Sequence, residues 1–308
     1  MGDLNSMKIA AIVVTFNRKR TFKKKILSVF LNQTMKDLFD IIIIDNHSTD
    51  DTRSEINIYI KNKDIIYKDT GSNLGGAGGF QFGIKYAAEH NYDYIWVMDD
   101  DCMPTKTALE EFLNVDKKLN GQYGFLSSKV LWKDHTICVM NRQRKNMIQT
   151  VSDFNSETVP IVMASFVSLF MPTKIVYELG LPIKEFFIWT DDWEYTRRIS
   201  LKYPCYLCNK SMVVHKSKSN IGANIANDSL DRLERYNYLY RNDVYLYRRE
   251  GLYGFVYESI RLIFHILRVI FRGKNKKNKR ISYVWNGTLK GLSFYPKIEF
   301  PKRNGEGL

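Results

Sequence analysis

The chain has 308 residues, 44% hydrophobic and 14% aromatic, which gives it a sizeable core and excludes a disordered protein; with no fixed-period repeat and no Pro/Ser/Gly-rich linker it also excludes a repeat array. The formal charge of +13 is unevenly placed: residues 1–200 hold 25 basic and 25 acidic side chains, while residues 201–308 hold 21 and 8. The basic surface therefore belongs to the C-terminal third, and a field concentrated there suits an anionic surface, either a phospholipid leaflet or nucleic acid.

Residues 1–6 are polar, directly precede Met7 and read as an expression remnant outside the fold. Residues 8–15 (KIAAIVVT) are a continuous apolar run, the pattern of a strand buried on both faces, ending in the polar loop Thr15-Phe16-Asn17-Arg18. The spacing of Phe22, Ile26, Val29 and Phe30 predicts a helix after it. A second buried strand over 40–44 ends in Asp45-Asn46, and Ser48-Thr49-Asp50-Asp51 offers the next helix an N-cap. Ile65-Ile66-Tyr67 predicts a third strand, a helix follows from about Gly76 to His90, and Tyr94–Met98 predicts a fourth strand. Strand and helix alternate four times in about 100 residues, so an α/β fold with a Rossmann-like, mostly parallel central sheet is expected. In such sheets ligands bind beyond the carboxyl ends of the strands, which directs attention to Thr15–Arg18, Asp45-Asn46, Asp69–Asn73 and Asp99–Asp101.

The segment Gly71–Gly83 invites two familiar readings, and both fail. A dinucleotide fingerprint starting at Gly76 would need glycine where Gln81 stands, and a P-loop starting at Gly78 would need lysine where Ile84 stands. What remains is a glycine-opened helix start that either offers backbone N–H groups to a ligand or lets the helix lie close on the sheet.

Asp99-Asp100-Asp101 follows an apolar strand, and nothing local neutralises the three like charges; a divalent cation would. On an extended backbone Asp99 and Asp101 point to one side and can share a metal, while Asp100 faces elsewhere, for instance toward a sugar. Hard oxygen ligands suit Mg²⁺ or Mn²⁺, with a diphosphate in the remaining positions. Further on, Phe186–Tyr195 (FFIWTDDWEY) sets Asp191, Asp192 and Glu194 among aromatic residues, which raise a carboxylate toward the range of a general base. The same acids also fit the first turn of a helix. His215, ending the run Met212-Val213-Val214, is either a third metal ligand or a structural histidine.

The segments VVTFNR, IIIDNHSTDDT, NLGGAGGF, WVMDDD, FFIWTDDWEY, VVHKS and YLYRN occur in this order over residues 7–245. In this the chain resembles the inverting GT-A glycosyltransferases of family two, and within them the bacterial galactofuranosyltransferase-like and rhamnosyltransferase-like members. The resemblance implies a GT-A fold over residues 7–225 and a basic helical region over 226–308. It implies that Thr15, Asn17, Arg18 and Asp45 line the nucleotide pocket, with Asn73, Gly75, Gly76, Asp100 and Trp189 near the donor's sugar and phosphates. Asp99, Asp101 and His215 would hold Mn²⁺ or Mg²⁺, and Asp192, or in its place Asp191, would be the base. The implied reaction is galactofuranose transfer from its UDP donor to a hydroxyl of a glycan or lipid-linked glycan in cell-surface polysaccharide synthesis. Rhamnosyl transfer from dTDP-rhamnose is the alternative, with a metal-dependent nucleotidyltransferase behind it.

Residues 253–272 predict a helix whose Arg261, His265, Arg268 and Arg272 share one stripe and interrupt any transmembrane run; GKNKKNKR follows. This region reads either as a peripheral membrane contact over 253–280 or as a helix packed on the catalytic domain or on a second copy, with a solvated basic stripe. No nucleic-acid-binding motif is recognisable, so no nucleic-acid partner is expected. Four cysteines without a leader-like start point to a reducing, cytoplasmic compartment, at the inner face of the membrane if the basic helix docks there. Cys205-x-x-Cys208 lacks the second pair of a zinc site and reads as two semi-buried thiols.

Overall fold

The computed structural model describes residues 7–19 and 27–303; the expected remnant 1–6 and the expected helix positions Phe22 and Ile26 lie outside the described residues. Strands β1 (Ile9–Thr15), β2 (Phe39–Asp45), β3 (Ile66–Asp69) and β4 (Tyr94–Asp99) pair in parallel, in the order β3-β2-β1-β4. Between and after them lie α1 (Leu27–Leu31), α2 (Thr52–Lys61), α3 (Gly75–Glu89) and α4 (Ala108–Leu119). Every residue of β1 is buried, the reason its sequence is apolar throughout and not alternating. One sheet face packs Phe30, Trp96, Phe112 and Phe170; the other packs Phe80, Ile84, Phe166 and Tyr195.

Beyond β4 the sheet becomes mixed. Strand β5 (Cys102–Pro104) is short, and β6 (Leu126–Trp132), β7 (Thr158–Pro160), β8 (Leu169–Pro172) and β9 (Tyr206–His215) complete nine strands. Strand β8 runs antiparallel between β4 and β6, β9 runs parallel to β6, and β5 and β7 pair antiparallel with β9. Short helices α5 (Thr173–Leu179) and α6 (Asp191–Ser200) precede β9.

The glycines of α3 are resolved in favour of close packing at two positions. A Cβ on Gly79 would lie 2.5 Å from Val14 Cγ1, and one on Gly83 would lie 2.6 Å from Ile12 Cγ2. Gly83→Ala is therefore expected to destabilise the protein by about 1–3 kcal/mol through overpacking, read as a lower urea midpoint at an unchanged slope.

After β9 come α7 (Arg235–Arg248), α8 (Gly251–Arg272) and α9 (Lys277–Leu292), packed together around Tyr236, Tyr240, Val269 and Val284. The basic stripe of α8 is solvated only at its C-terminal end, where Arg272 is exposed; His265 and Arg268 are half-buried. Arg261 faces inward, donating through Nε to Glu258 at 2.7 Å and through Nη2 to Asp243 of α7, while apolar side chains of α8 face outward. Among the described residues no helix is long and apolar enough to cross a membrane.

Candidate functional site

The sheet register assembles the acidic cluster. Strand β4 ends at Asp99, a tight turn carries Asp100 and Asp101, and β5 pairs with the end of β9 so that Cys102 lies opposite His215. His215 thereby reaches a carboxylate more than a hundred positions away in sequence. Its Nε2 is 3.1 Å from Asp101 Oδ1, and its Nδ1 is 2.7 Å from Asn141 Oδ1. Burial opposes a charge on the ring, but the bonds to Asp101 and Cys138 prevail and raise the imidazole to about 10. Burial likewise opposes ionisation of Asp101, yet His215 and Arg18 hold it below the usual carboxylate range. Asp99 is pushed up to about 7 by burial and by the neighbouring Asp101.

Ligand atoms of Asp99, Asp101, Cys102 and His215 all lie within 4.8 Å of one another. Two carboxylates and an imidazole fit a hard or borderline divalent cation. The raised Asp99 shows a carboxylate short of counter-charge, which such an ion would supply. Cys102 fits less well: it is fully buried, and burial raises its thiol well above the ordinary value, keeping it protonated. Cys102→Ser is expected to leave metal binding nearly unchanged and Asp101→Asn to weaken it strongly, as titration calorimetry with Mn²⁺ would read.

Asp100 does not join this set. It accepts a hydrogen bond from Thr15 Oγ1 at 2.8 Å and lies 3.1 Å from Arg18 Nε; burial raises it to about 6 against the pull of Arg18. Asp100 thus braces the β1 loop. Asn17, at φ 54°, accepts from the Thr49 N–H at 2.9 Å and joins that loop to the one after β2. Asp45 accepts from the Ser48 N–H and the Tyr67 hydroxyl, both at 2.8 Å. Asn73 Oδ1 accepts from the Gly75 N–H at 2.9 Å, closing the turn that opens α3. A Cβ on Gly75 would lie 2.1 Å from the Phe187 carbonyl oxygen, whereas one on Gly76 would meet nothing within 4 Å. Of these two glycines, Gly76 is the one whose surroundings leave open space.

The second acidic constellation begins α6. Its lead-in is strained: Phe187, Trp189 and Thr190 have φ of 63°, 65° and 68°, a region costly for residues with a side chain. Helix α7 holds this loop in place. Asn242 Nδ2 donates to the carbonyls of Phe186, Ile188 and Trp189 at 3.0, 3.2 and 2.9 Å, and Thr190 Oγ1 donates to Asp243 Oδ1 at 2.6 Å. Asp191 is buried, Asp192 only partly so. Burial raises both carboxyls, and for Asp192 the charges of Asp191 and Asp99 add to it. The two constellations, some ninety residues apart in sequence, therefore feel each other's charge. Glu194 instead pairs with Arg198 at 2.9 Å in the interior. The Trp189 ring lies 5.1 Å from that of Tyr236, with the Arg232 guanidinium over it.

Cys102, Asn141 and Asp243 escaped the sequence reading, and Asn242 stood in YLYRN without a role of its own. Asn242 and Asp243 left a trace as adjacent polar residues inside the aromatic helix YNYLYRNDVYLY. Asn141 comes from a 3-10 turn (Val139–Asn141) with no sequence pattern of its own.

A half-parallel α/β sheet with acidic strand ends and a β4–β5 turn of carboxylates facing a histidine is the GT-A type of fold. A solved structure of S. aureus TarS residues 1–349 in complex with UDP shares it, with a TM-score of 0.55 at 12% identity over 94% of this chain and 72% of that one. Residues 10–124 match the family model for Glycosyl transferase family 2. Among curated relatives, the Staphylococcus aureus poly(ribitol-phosphate) beta-N-acetylglucosaminyltransferase TarP is 34% identical over 125 residues, 38% of this chain and 37% of its own length. The galactofuranosyltransferase GlfT1 of Mycolicibacterium smegmatis is 22% identical over 269 residues, 79% of this chain and 84% of its own. The chain thus aligns with little more than a third of the first relative and with most of the second.

Proposed function

We propose that this chain is a metal-dependent inverting glycosyltransferase that moves galactofuranose from UDP-galactofuranose to a hydroxyl of a glycan or lipid-linked glycan acceptor. The observation that carries the reading is the clustering of Asp99, Asp101 and His215 at the end of β4, whose ligand atoms, with that of Cys102, lie within 4.8 Å of one another. The galactofuranose donor rests on the likeness to GlfT1 along most of the chain.

In this reading Asp99, Asp101 and His215 would hold Mn²⁺ or Mg²⁺, which when bound would supply positive charge to stabilise the leaving diphosphate. Thr15, Asn17, Arg18 and Asp45 border the nucleotide, and the open space at Gly76, beside Asn73, receives the donor's sugar and phosphates. Arg18, already paired with Asp100, adds a cation on that side. Asp192 takes the proton of the acceptor hydroxyl as its oxygen forms a bond to the anomeric carbon, and the bond to the diphosphate breaks on the opposite face. One displacement inverts the configuration without a covalent enzyme intermediate.

The test is a screen of donor hydrolysis and transfer with and without Mn²⁺ or Mg²⁺. UDP-galactofuranose turnover that stops with a chelator is expected. Preferential turnover of dTDP-rhamnose would replace the donor but keep the class. Release of pyrophosphate from a nucleoside triphosphate, or no metal-dependent turnover of any nucleotide sugar, would overturn the reading.

A further inference from the structure

Helix α8 is built inside out. Its 22 residues span about 33 Å. Gly254, Glu258 and Val269 are buried, and Arg261 is only 18% exposed because it is bound to Asp243 and Glu258. The opposite side carries Leu252, Val256, Ile260, Ile263, Phe264 and Phe271, all exposed, with Leu252 at 80% and Phe271 at 77%. At 100° per residue these six fall within one arc of the helix. Trp285, Leu289 and Leu292 on α9, spaced four and three apart, form a second exposed apolar row. A continuous apolar stripe of this kind is unusual on a surface that meets only water.

The surroundings of the stripe favour one occupant. Arg272, Lys274, Lys276, Lys277 and Lys279 are all exposed at its C-terminal end. In residues 251–298 the only acidic side chain is Glu258, and it is buried against Arg261. A second copy meeting this same surface would bring no counter-charge to the basic run. An anionic phospholipid leaflet brings both the apolar layer and the negative headgroups. We propose that α8 lies in the plane of such a leaflet, with its apolar stripe in the headgroup–acyl boundary and residues 272–279 on the headgroups. The polar side of α8 stays on the protein, where Arg261 fixes Asp243 and through it the loop before α6. The inference does not depend on which reaction the site performs.

The experiment is flotation of the full chain with vesicles of phosphatidylcholine alone and of phosphatidylcholine mixed with phosphatidylglycerol, at low and high salt, with no donor present. Binding to the mixed vesicles only, weakened by salt, is expected. Phe264→Glu should abolish it. Converting Lys276, Lys277 and Lys279 together to Gln should weaken it on the order of a hundred-fold, since each contributes about a five-fold gain near the surface. Both variants change exposed side chains, so unchanged thermal unfolding shows that the fold is intact. Failure to bind mixed vesicles, or equal binding to neutral ones, would overturn the proposal. So would a stable wild-type dimer in sedimentation equilibrium that Phe264→Glu converts to monomer.

Discussion

Asp192→Asn is expected to lower kcat by about 10²–10⁴-fold, with donor affinity and unfolding midpoint nearly unchanged. Asp191 and Asp192 share the first turn of α6, but Asp191 is buried and Asp192 is partly open, so in the proposed reaction the second is the one that would meet an acceptor. Asp191→Asn should consequently cost less in kcat and more in stability. A base works in its ionised form, and burial together with Asp191 and Asp99 raises the Asp192 carboxyl well above the ordinary range. The sign follows: activity is full above the raised value and falls as the pH drops through it. The acid limb of kcat should therefore sit higher than an exposed aspartate would give. An Asp192→Asn enzyme with wild-type kcat would remove Asp192 from this role.

Asp243→Ala should have the largest effect on stability, about 3–5 kcal/mol in urea unfolding. It leaves Arg261 charged in the interior with only Glu258 as partner and takes the acceptor from Thr190 Oγ1. Activity should fall with it, because Thr190, at φ 68°, is the residue directly before α6. Asp243→Asn separates the two causes: it keeps an oxygen for Thr190 but not the charge for Arg261. A protein less stable than wild type, yet with most of its kcat, is the expected result. If both variants match wild type in kcat, the α7 contact does not position the base.

The N-terminal half of the fold was legible because each element carried its own pattern. A largely apolar strand, a polar end and a helix opened by glycines or by small polar and acidic residues recur along residues 8–98, although β3 (IYKD) is only half-buried and the helix after β2 has no side-chain cap hydrogen bond. The segment from β5 to β9 was not, since β5 has three residues and β7 three, and pairing across the sheet, not local periodicity, defines them. That pairing is also what places His215. The sequence left it between ligand and structural residue, and the β5–β9 register brings it to Asp101 and Asp99. Asp100 was expected to face elsewhere than its neighbours, and it does, but toward Thr15 and Arg18, a partnership no spacing rule encodes. The charged stripe of α8 was legible as a stripe. Its direction was not, because only Asp243 and Glu258 make the interior hospitable to Arg261.

Gly75 is packed directly on the backbone of Phe187, and the Ala77 N–H donates to that same carbonyl at 3.2 Å. The segment that would cradle the donor and the loop that would carry the base are therefore one mechanical unit. A shift of either on filling is transmitted to the other without passing through the sheet. Steady-state kinetics with both substrates should then display ordered addition, and loosening the contact at Gly75 should make the order random.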